Sequence, residues 1–288
     1  MSIFGTTFEE ARKDRRTRET GVMEKPGYTL RMNAVRTVLL LLYLSPSLGM
    51  AAGEGLNNQP AETTTFNLEN PAFPIHDPVH YTIKGLGLTC GHLYLSSSIE
   101  DLDGRPAYHI VMTAKNSKFF NRIYKVDARI DSWVDAKTLS TLVYESVTTE
   151  KGETSTERHE IDLREGIVRS VENGVETTLE FSSTEPVLDP LAFVFRLQSL
   201  AKNGGDEITL TLLTTKGPVQ TVTTVRGPKS KRTTRGRRLL LEIEPRPADG
   251  KMFSKKGLFS IWVDPQGPST LYILDFKLSF GHLVAKID

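Results

Sequence analysis

The sequence predicts an all-β domain, an antiparallel meander that forms an open or flattened β-barrel with one capping α-helix at about residues 189–202. The first observation is a two-residue period in hydrophobicity after Val79, which is typical of strands with one buried and one exposed face. The second is a series of turn dipeptides, of which Asn173-Gly174 is the clearest and favours a type I′ hairpin. The hydrophobic pattern contains no βαβ alternation, which argues against a parallel sheet.

Strand-like segments recur throughout the domain. The clearest includes Val126 and Ile130 on one face and Asp127 and Arg129 on the other. Similar rows are His159, Ile161 and Leu163; Val175, Thr177, Leu179 and Phe181; Ile208, Leu210 and Leu212; and Leu239, Leu241 and Ile243. Rows at this spacing, separated by turn residues, indicate consecutive hairpins.

One segment breaks this period and predicts the capping helix. Asp189 is a suitable N-cap, Pro190 suits the first helical position, and Gly204 with Gly205 can end the helix. Only three side chains within residues 191–201 are polar, so the helix must be covered on most sides. The concave face of a curved sheet is the simplest place for it. A second, shorter helical turn is predicted at residues 117–121.

Residues 37–48 form an apolar run that follows Arg36 and precedes small residues up to Ala51. This order is typical of a secretory signal peptide. The run is shorter than the roughly 20 residues that span a bilayer, so an uncleaved anchor is the weaker alternative. We expect cleavage near Ala51 and a periplasmic or otherwise exported protein. The predicted organisation is a charged extension at 1–31, which a start codon assigned too early would explain, a signal peptide at 32–51, a linker at 52–78 and the β-rich domain at 79–288.

Few residue patterns point to catalysis or metal binding. His76 and His80 have the spacing of two zinc ligands on one face of a helix. Pro78 opposes a helix and the spacing shows no third ligand, so we interpret this segment as a polar linker. Asp127, Asp131, Asp135 and the acidic residues within 150–160 alternate with apolar residues, so we interpret them mostly as the solvent-exposed face of strands rather than as the paired acids of a glycosidase. Cys90, the single cysteine, is interpreted as a small buried hydrophobic residue. We expect no enzyme, no catalytic residue, no metal and no cofactor.

Residues 226–238 carry seven basic side chains and neither an acidic nor an aromatic one. The absence of aromatic residues for base stacking, together with export, argues against nucleic acid as a partner. Two interpretations stay open: a solvated hairpin loop, or a contact for an anionic envelope surface such as lipid headgroups. The residues of this tentative contact are Lys229, Lys231, Arg232, Arg235, Arg237 and Arg238.

Several spaced residues carry a family resemblance. They are Tyr81 and Gly91; Asp127, Ser132 and Asp135; Asp189, Phe195 and Arg196; and Trp262, Asp264, Lys277 and Gly281. In this pattern the chain resembles the bacterial exported domain-of-unknown-function family numbered 3108, although Ala192 stands where that family usually has serine. The resemblance implies an exported β-protein without assigned activity. By fold analogy, it also implies similarity to the half-barrels of lipoprotein-localisation carriers.

Two functions are compatible with these patterns. The first is an envelope protein that binds an apolar or lipid-like ligand, such as a lipid or lipoprotein acyl chain, between the helix and the sheet. Its tentative lining is Leu191, Phe193, Val194, Phe195, Leu197, Trp133 and Trp262, which could equally form the hydrophobic core. The second is a non-enzymatic scaffold or assembly factor that binds other envelope proteins through an edge strand or the basic segment.

Overall fold

The computed structural model describes residues 71–122, 125–214, 217–248, 259–265, 270–278 and 281–288. The strands are β1 (His76–Gly85), β2 (Leu88–Leu102), β3 (Arg105–Asn116), β4 (Val126–Asp135), β5 (Thr141–Glu150), β6 (Glu153–Asp162), β7 (Ile167–Glu172), β8 (Val175–Glu180), β9 (Val187–Leu188), β10 (Glu207–Thr214), β11 (Gly217–Thr233), β12 (Gly236–Pro247), β13 (Phe259–Val263), β14 (Leu271–Leu278) and β15 (Gly281–Ile287). The helices are α1 (Lys118–Asn121) and α2 (Pro190–Leu200). None of the helices in the described residues combines the length and the apolar character that a bilayer crossing requires.

The fifteen strands within the described residues form one sheet made of two meanders. Strands β1 to β8 follow one another outward in one direction, and β15 to β9 follow one another in the other. Strands β1 and β15 join the meanders, for example through the pair Ile83 and Ala285. All pairs are antiparallel except β9 with β10. Asn173 and Gly174 both have positive φ in the β7–β8 turn, as a type I′ turn requires. The predicted all-β fold class is confirmed.

Helix α2 lies across this sheet and packs against strands of both meanders. Asp189 is its N-cap and Pro190 its first residue, as predicted. Gly204 does not end the helix, because Ala201 is already the C-cap. Gly204 instead allows a close approach to Gly227, at the bulge of β11: a Cβ on Gly204 would lie 2.9 Å from the Gly227 Cα. The predicted helix and its capping position are confirmed.

The packed domain begins before the predicted boundary at residue 79. Strand β1 starts at His76, and Phe73 is fully buried in the core. The Arg196 guanidinium donates a hydrogen bond to the Ala72 carbonyl oxygen at 2.9 Å, which fixes this entering segment against α2. Part of the predicted linker is therefore structural. The predicted extension, the signal peptide and the linker up to residue 70 lie outside the described residues.

The two ends of the sheet meet through side chains. Ile161 and Val168 of the first meander form a hydrophobic cluster with Val187 and Leu213 of the second. The Ser140 hydroxyl accepts a hydrogen bond from the Val187 N–H and donates one to its carbonyl oxygen. Within the described residues the ladder order stops at β8 and at β9, so the two ends of the sheet meet through this side-chain contact, hereafter the seam, and not through a backbone ladder.

Candidate functional site

A cavity of about 310 Å³ opens beside the seam. Its apolar wall includes Val168, Leu179 and Leu213. Its polar wall includes Tyr144, Glu157, His159, Ser170, Glu172 and Asp189. This volume lies at the lower end of the range of roughly 300–1,000 Å³ that is usual for small-molecule sites. We refer to this space as the seam cavity.

Strand alternation and register bring the polar wall together. Glu157 and His159 are two residues apart on β6 and therefore share a face. On β7, Glu172 lies opposite Glu157 and Ser170 opposite His159. On β5, Tyr144 lies opposite His159. Three neighbouring strands thus present one continuous polar row to the cavity.

The interpretation that the acidic residues of 150–160 mostly lie on the exposed face of strands does not hold for Glu157. Glu157 is 8% exposed, whereas its neighbour Glu160 is exposed. The sequence does indicate this burial. Glu157, His159 and Ile161 occupy alternate positions of one strand and therefore share a face, and Ile161 is a core residue.

The imidazole of His159 is held on three sides. Its Nε2 lies 2.6 Å from Glu157 Oε1, and its Nδ1 lies 2.7 Å from Ser170 Oγ. The ring stacks on Tyr144, with centroids 5.6 Å apart and 18° between the planes. The position and the rotamer of this side chain are therefore fixed by its surroundings.

The carboxylate of Glu157 is only partly satisfied. Its Oε1 meets His159, but no group among the described residues forms a hydrogen bond with its buried Oε2. A buried acceptor without a partner costs about 1–3 kcal/mol, and more when it is charged. Glu172 stands opposite on β7, and like charges directly opposite each other destabilise a sheet. The site is thus short of positive charge or hydrogen-bond donors.

Asp189 contributes a second buried carboxylate to the cavity wall, and this one is saturated. It accepts hydrogen bonds from the hydroxyls of Ser132 and Thr141 and from the N–H groups of Leu191 and Ala192. Burial raises the pKa of Asp189, against the opposing effect of these hydrogen bonds. The residue ties the start of α2 to β4 and to the start of β5.

The predicted apolar lining does not form one open surface. Leu191, Phe193, Val194, Phe195 and Leu197 are at most 8% exposed and belong to the main hydrophobic core. Trp262 is also buried, and the Lys231 ammonium nitrogen lies 3.7 Å from its ring centroid.

Trp133 occupies the other face of the sheet. Its neighbour Ser132 reaches Asp189 on the α2 side, whereas the Trp133 ring stacks on His109, with centroids 4.4 Å apart. The expectation that Trp133 shares a lining with α2 needs this correction.

The basic segment is a regular hairpin rather than a loop. Strands β11 and β12 continue to a turn at Thr234 and Arg235. In the register, Arg232 lies opposite Arg237 and Lys231 opposite Arg238. Several of its cations have partners within the protein. Lys229 Nζ lies 2.7 Å from Glu242 Oε2, and Arg238 Nη1 lies 4.0 Å from Asp264 Oδ2. The Arg235 guanidinium donates a hydrogen bond to the Asp288 backbone oxygen at 3.1 Å. Arg232 and Arg237 are exposed near the tip.

The two histidines first considered for zinc belong to β1 and do not meet. His76 stacks on Phe195 at 5.7 Å between centroids. His80 Nε2 lies 2.9 Å from His92 Nδ1, and His80 Nδ1 lies 2.6 Å from a carboxylate oxygen of Asp288. The helix that would have aligned His76 with His80 is absent here, because this segment is a strand.

A further histidine cluster lies on the outer face of the sheet. His109 Nδ1 lies 2.9 Å from Glu100 Oε1, and its Nε2 lies 2.9 Å from Asp131 Oδ1. The Arg129 guanidinium donates two hydrogen bonds to Asp131. Burial lowers the pKa of His109, but the hydrogen bonds to Asp131 and Glu100 outweigh it, so the pKa is raised overall.

Comparisons with known proteins identify related sequences and folds. The sequence model of a family described as proteins of unknown function, DUF3108, matches residues 79–288. Among solved structures, a β-barrel-like protein of domain of unknown function DUF1849 from Brucella abortus is similar, with 12% identity over 73% of this chain and 94% of that chain and a TM-score of 0.49. No curated protein sequence matches the chain significantly. The matched residues begin within β1 and include α2 and the seam cavity.

Proposed function

The chain belongs to the DUF3108 family of proteins of unknown function, and we propose that its domain is a non-catalytic binding protein that acts outside the cytoplasm. The resemblance inferred from spaced residues is confirmed by the family match. Export is supported by the apolar run at residues 37–48 with small residues after it. The observation that carries the binding role is the seam cavity, where a buried carboxylate oxygen faces no hydrogen-bond donor among the described residues.

The chemistry of the cavity indicates its ligand class. Val168, Leu179 and Leu213 provide apolar contact, whereas Glu157 and Glu172 call for positive charge or hydrogen-bond donors. The volume suits a small molecule or one end of a larger one rather than a complete lipid. An acyl chain between α2 and the sheet would have to displace packed core side chains, at a cost of several kcal/mol. The ligand therefore belongs in the seam cavity.

The arrangement of Ser170, His159 and Glu157 is close to that of a hydrolytic triad, but its surroundings do not support hydrolysis. Acyl transfer needs backbone or side-chain donors aimed at the developing oxyanion. Ser170 lies within β7, which pairs with β6 on one side and with β8 on the other. The neighbouring N–H groups are thus directed into ladders, and binding is the role that fits the site.

Native mass spectrometry tests this proposal. The full chain is purified gently from its own cells, and we expect a small-molecule adduct on the folded protein. Thr177→Trp places a larger side chain at an exposed position of the cavity wall, so it should narrow the cavity and remove the adduct. Glu176→Trp is the matched control, because Glu176 is also exposed on β8 but does not line the cavity. An unmodified mass for the wild-type protein, or equal adducts in both variants, overturns the proposal.

A second function, attachment to an anionic envelope surface, is favoured by the tip of the basic hairpin. Arg232 and Arg237 face each other across the ladder, which is unfavourable unless an anion lies between or above them. Attachment of this kind is strongest at low salt.

Vesicle binding tests the attachment. Vesicles containing phosphatidylglycerol are mixed with the full chain at low salt, and binding should weaken when four hairpin arginines are changed to glutamine: Arg232, Arg235, Arg237 and Arg238. A charge-matched control changes four exposed cations elsewhere: Arg105, Arg122, Lys137 and Arg164. Equal binding by the two variants rules this function out.

The alternative role, a scaffold for other envelope proteins, would use the sheet edge. Strand β8 is an end of the ladder order, and Val175 on it is 64% exposed. Edge strands of this kind can accept an additional strand from a partner. Cross-linking from a probe at Val175 to an envelope protein would support the scaffold, and recovery of small molecules alone would favour the seam cavity.

A further inference from the structure

We propose that Glu157, His159 and Glu172 bind one divalent transition-metal ion of the zinc type in the seam cavity. One potential ligand atom from each of these side chains lies within 4.8 Å of the others. Small side-chain movements would bring an imidazole nitrogen and two carboxylate oxygens to the roughly 2.0–2.2 Å that zinc requires. This inference rests on the proposed binding function, since the ion would be part of what the cavity holds.

The surroundings of His159 favour metal binding through Nε2. Its Nδ1 lies 2.7 Å from the Ser170 hydroxyl oxygen, which can accept a hydrogen bond from Nδ1–H. The Nε2 lone pair would then be directed toward Glu157 and the cavity. A second partner that fixes the tautomer is the usual companion of a metal-binding histidine. The Tyr144 ring holds the plane of the imidazole.

The state of Glu157 is an independent indication of a ligand. The residue is 8% exposed, it lines the cavity, and its Oε2 is buried without a hydrogen-bond partner among the described residues. Glu172 lies directly opposite, so two carboxylates face each other at one position of the ladder. A cation between them would satisfy the Glu157 oxygen and remove the like-charge repulsion.

The donor set selects the class of ion. Calcium takes six to eight oxygen ligands, and magnesium needs nearly ideal octahedral oxygen coordination, so an imidazole fits neither well. One imidazole with two carboxylates suits zinc and its neighbours in the transition series. Three protein ligands leave a fourth position toward the cavity, where a polar group of a small ligand can bind.

Zinc binding to the full chain tests the inference directly. After treatment with a chelator and dialysis, titration with ZnCl₂ should show one site per chain and a higher melting temperature, whereas MgCl₂ should change neither. Cobalt(II) should give the visible absorption of a four- or five-coordinate site. His159→Ala and Glu157→Gln should weaken zinc binding at least 100-fold. Absence of a one-to-one site in the wild-type protein, or unchanged affinity in His159→Ala, overturns the inference.

Further variants separate a metal ligand from a structural effect. Glu172→Gln changes an exposed side chain, so the fold should persist while zinc affinity falls at least tenfold. Ser170→Ala should lower affinity about tenfold, as loss of an orienting partner usually does. His92→Ala controls for zinc at the other histidine pair and should leave the affinity of the proposed site unchanged. Equal losses of zinc affinity in Glu172→Gln and His92→Ala contradict the assignment of Glu172 as a metal ligand.

The zinc and adduct experiments fail in different ways. If zinc does not bind but Thr177→Trp still removes a small-molecule adduct, the metal inference falls and the proposed binding function stands. If zinc binds at one site but no adduct forms with or without zinc, the binding function falls and the metal site stands.

Discussion

Two buried carboxylates of the same cavity, Asp189 and Glu157, differ in how the fold satisfies them. Asp189 lies at the start of a helix, where the first backbone N–H groups have no intrahelical acceptor and can donate to it. Glu157 lies within a strand, where the N–H groups are used by the ladder, and its Oε2 has no partner among the described residues. A buried carboxylate thus has a structural role at Asp189, where the local backbone supplies hydrogen-bond donors. At Glu157 the local backbone supplies none, so the carboxylate is available to a ligand.

The histidine sites on the two faces of the sheet show the same contrast. His109 lies between two acidic residues, and Arg129 also pairs with one of them, so a protonated imidazole leaves the cluster neutral. His159 also lies near two acidic residues, but within the described residues neither Glu157 nor Glu172 forms an ion pair with a lysine or arginine. The outer cluster is complete as a structural network, whereas the inner one has no lysine or arginine partner among the described residues.

The largest expected effect follows from removing the satisfied carboxylate. Asp189→Ala should lower the free energy of unfolding by about 3 kcal/mol, because a helix cap contributes about 1 kcal/mol and two buried hydroxyls each lose an acceptor worth about 1 kcal/mol. Denaturant unfolding measures this change. Asp162→Ala is the matched control, because Asp162 also accepts from two backbone N–H groups but in an exposed turn, and it should cost less than about 1 kcal/mol. Equal losses would show that burial does not distinguish the two sites.

Local signals explain which parts of this molecule the sequence could predict. The cap formed by Asp189 with Pro190 and the turn at Asn173 with Gly174 are neighbours in the chain, and both were predicted correctly. Whether the apolar face of α2 is core or pocket depends on how closely two separate meanders approach it. Sequence periodicity carries no information about that distance.

Prediction of the seam cavity would have required the pairing of residues that are far apart in the sequence. Glu157 and His159 share a strand, and their common parity with Ile161 was visible in the sequence. Glu172 joins them only through the β6–β7 register, and Tyr144 only through the β5–β6 register. A one-residue change in either register would turn the partner to the other face. The site therefore cannot be predicted from residue spacing alone, because it forms only when three strands adopt the correct register.

The outer histidine cluster should give stability a specific pH dependence. The pKa of His109 is raised, so its contribution is complete below the unfolded value of about 6.5 and declines as pH rises through the folded value. The pKa of Glu100 is lowered, chiefly by its hydrogen bond to His109, so its contribution is lost at acidic pH instead. His109→Gln should cost about 1–2 kcal/mol near pH 6 and less at pH 9, measured by denaturant unfolding across this range.

An exposed histidine pair provides the control for this pH effect. His282 Nδ1 lies 2.7 Å from Asp275 Oδ1, but the His282 side chain is 55% exposed. His282→Gln should change stability by less than about 0.5 kcal/mol at any pH in the range, because solvent screens the pair. If His109→Gln lowers the free energy of unfolding by the same amount at pH 6 and at pH 9, the imidazole in the outer cluster is not charged.

Removing the unsatisfied carboxylate should have almost no cost. Glu157→Gln keeps an oxygen for His159 and removes the charge of a buried carboxylate whose Oε2 has no hydrogen-bond partner among the described residues, so the metal-free protein should be unchanged or more stable by up to about 1 kcal/mol. Unfolding in the presence of a chelator measures this difference, and added zinc should stabilise only the wild-type protein. A loss above about 2 kcal/mol in the chelated state would mean that Glu157 is as structural as Asp189.

The smallest effect on zinc binding is expected from Arg158, which stands between Glu157 and His159 in the sequence but points to the other face. It pairs with Glu145 and Glu160, and its side chain is 45% exposed. Arg158→Ala should lower stability by less than about 1 kcal/mol, because exposed ion pairs contribute little. Its zinc affinity should stay within twofold of the wild type. Because the substitution lies between the two proposed β6 ligands, a tenfold loss of zinc affinity would mean that the faces of β6 are assigned wrongly.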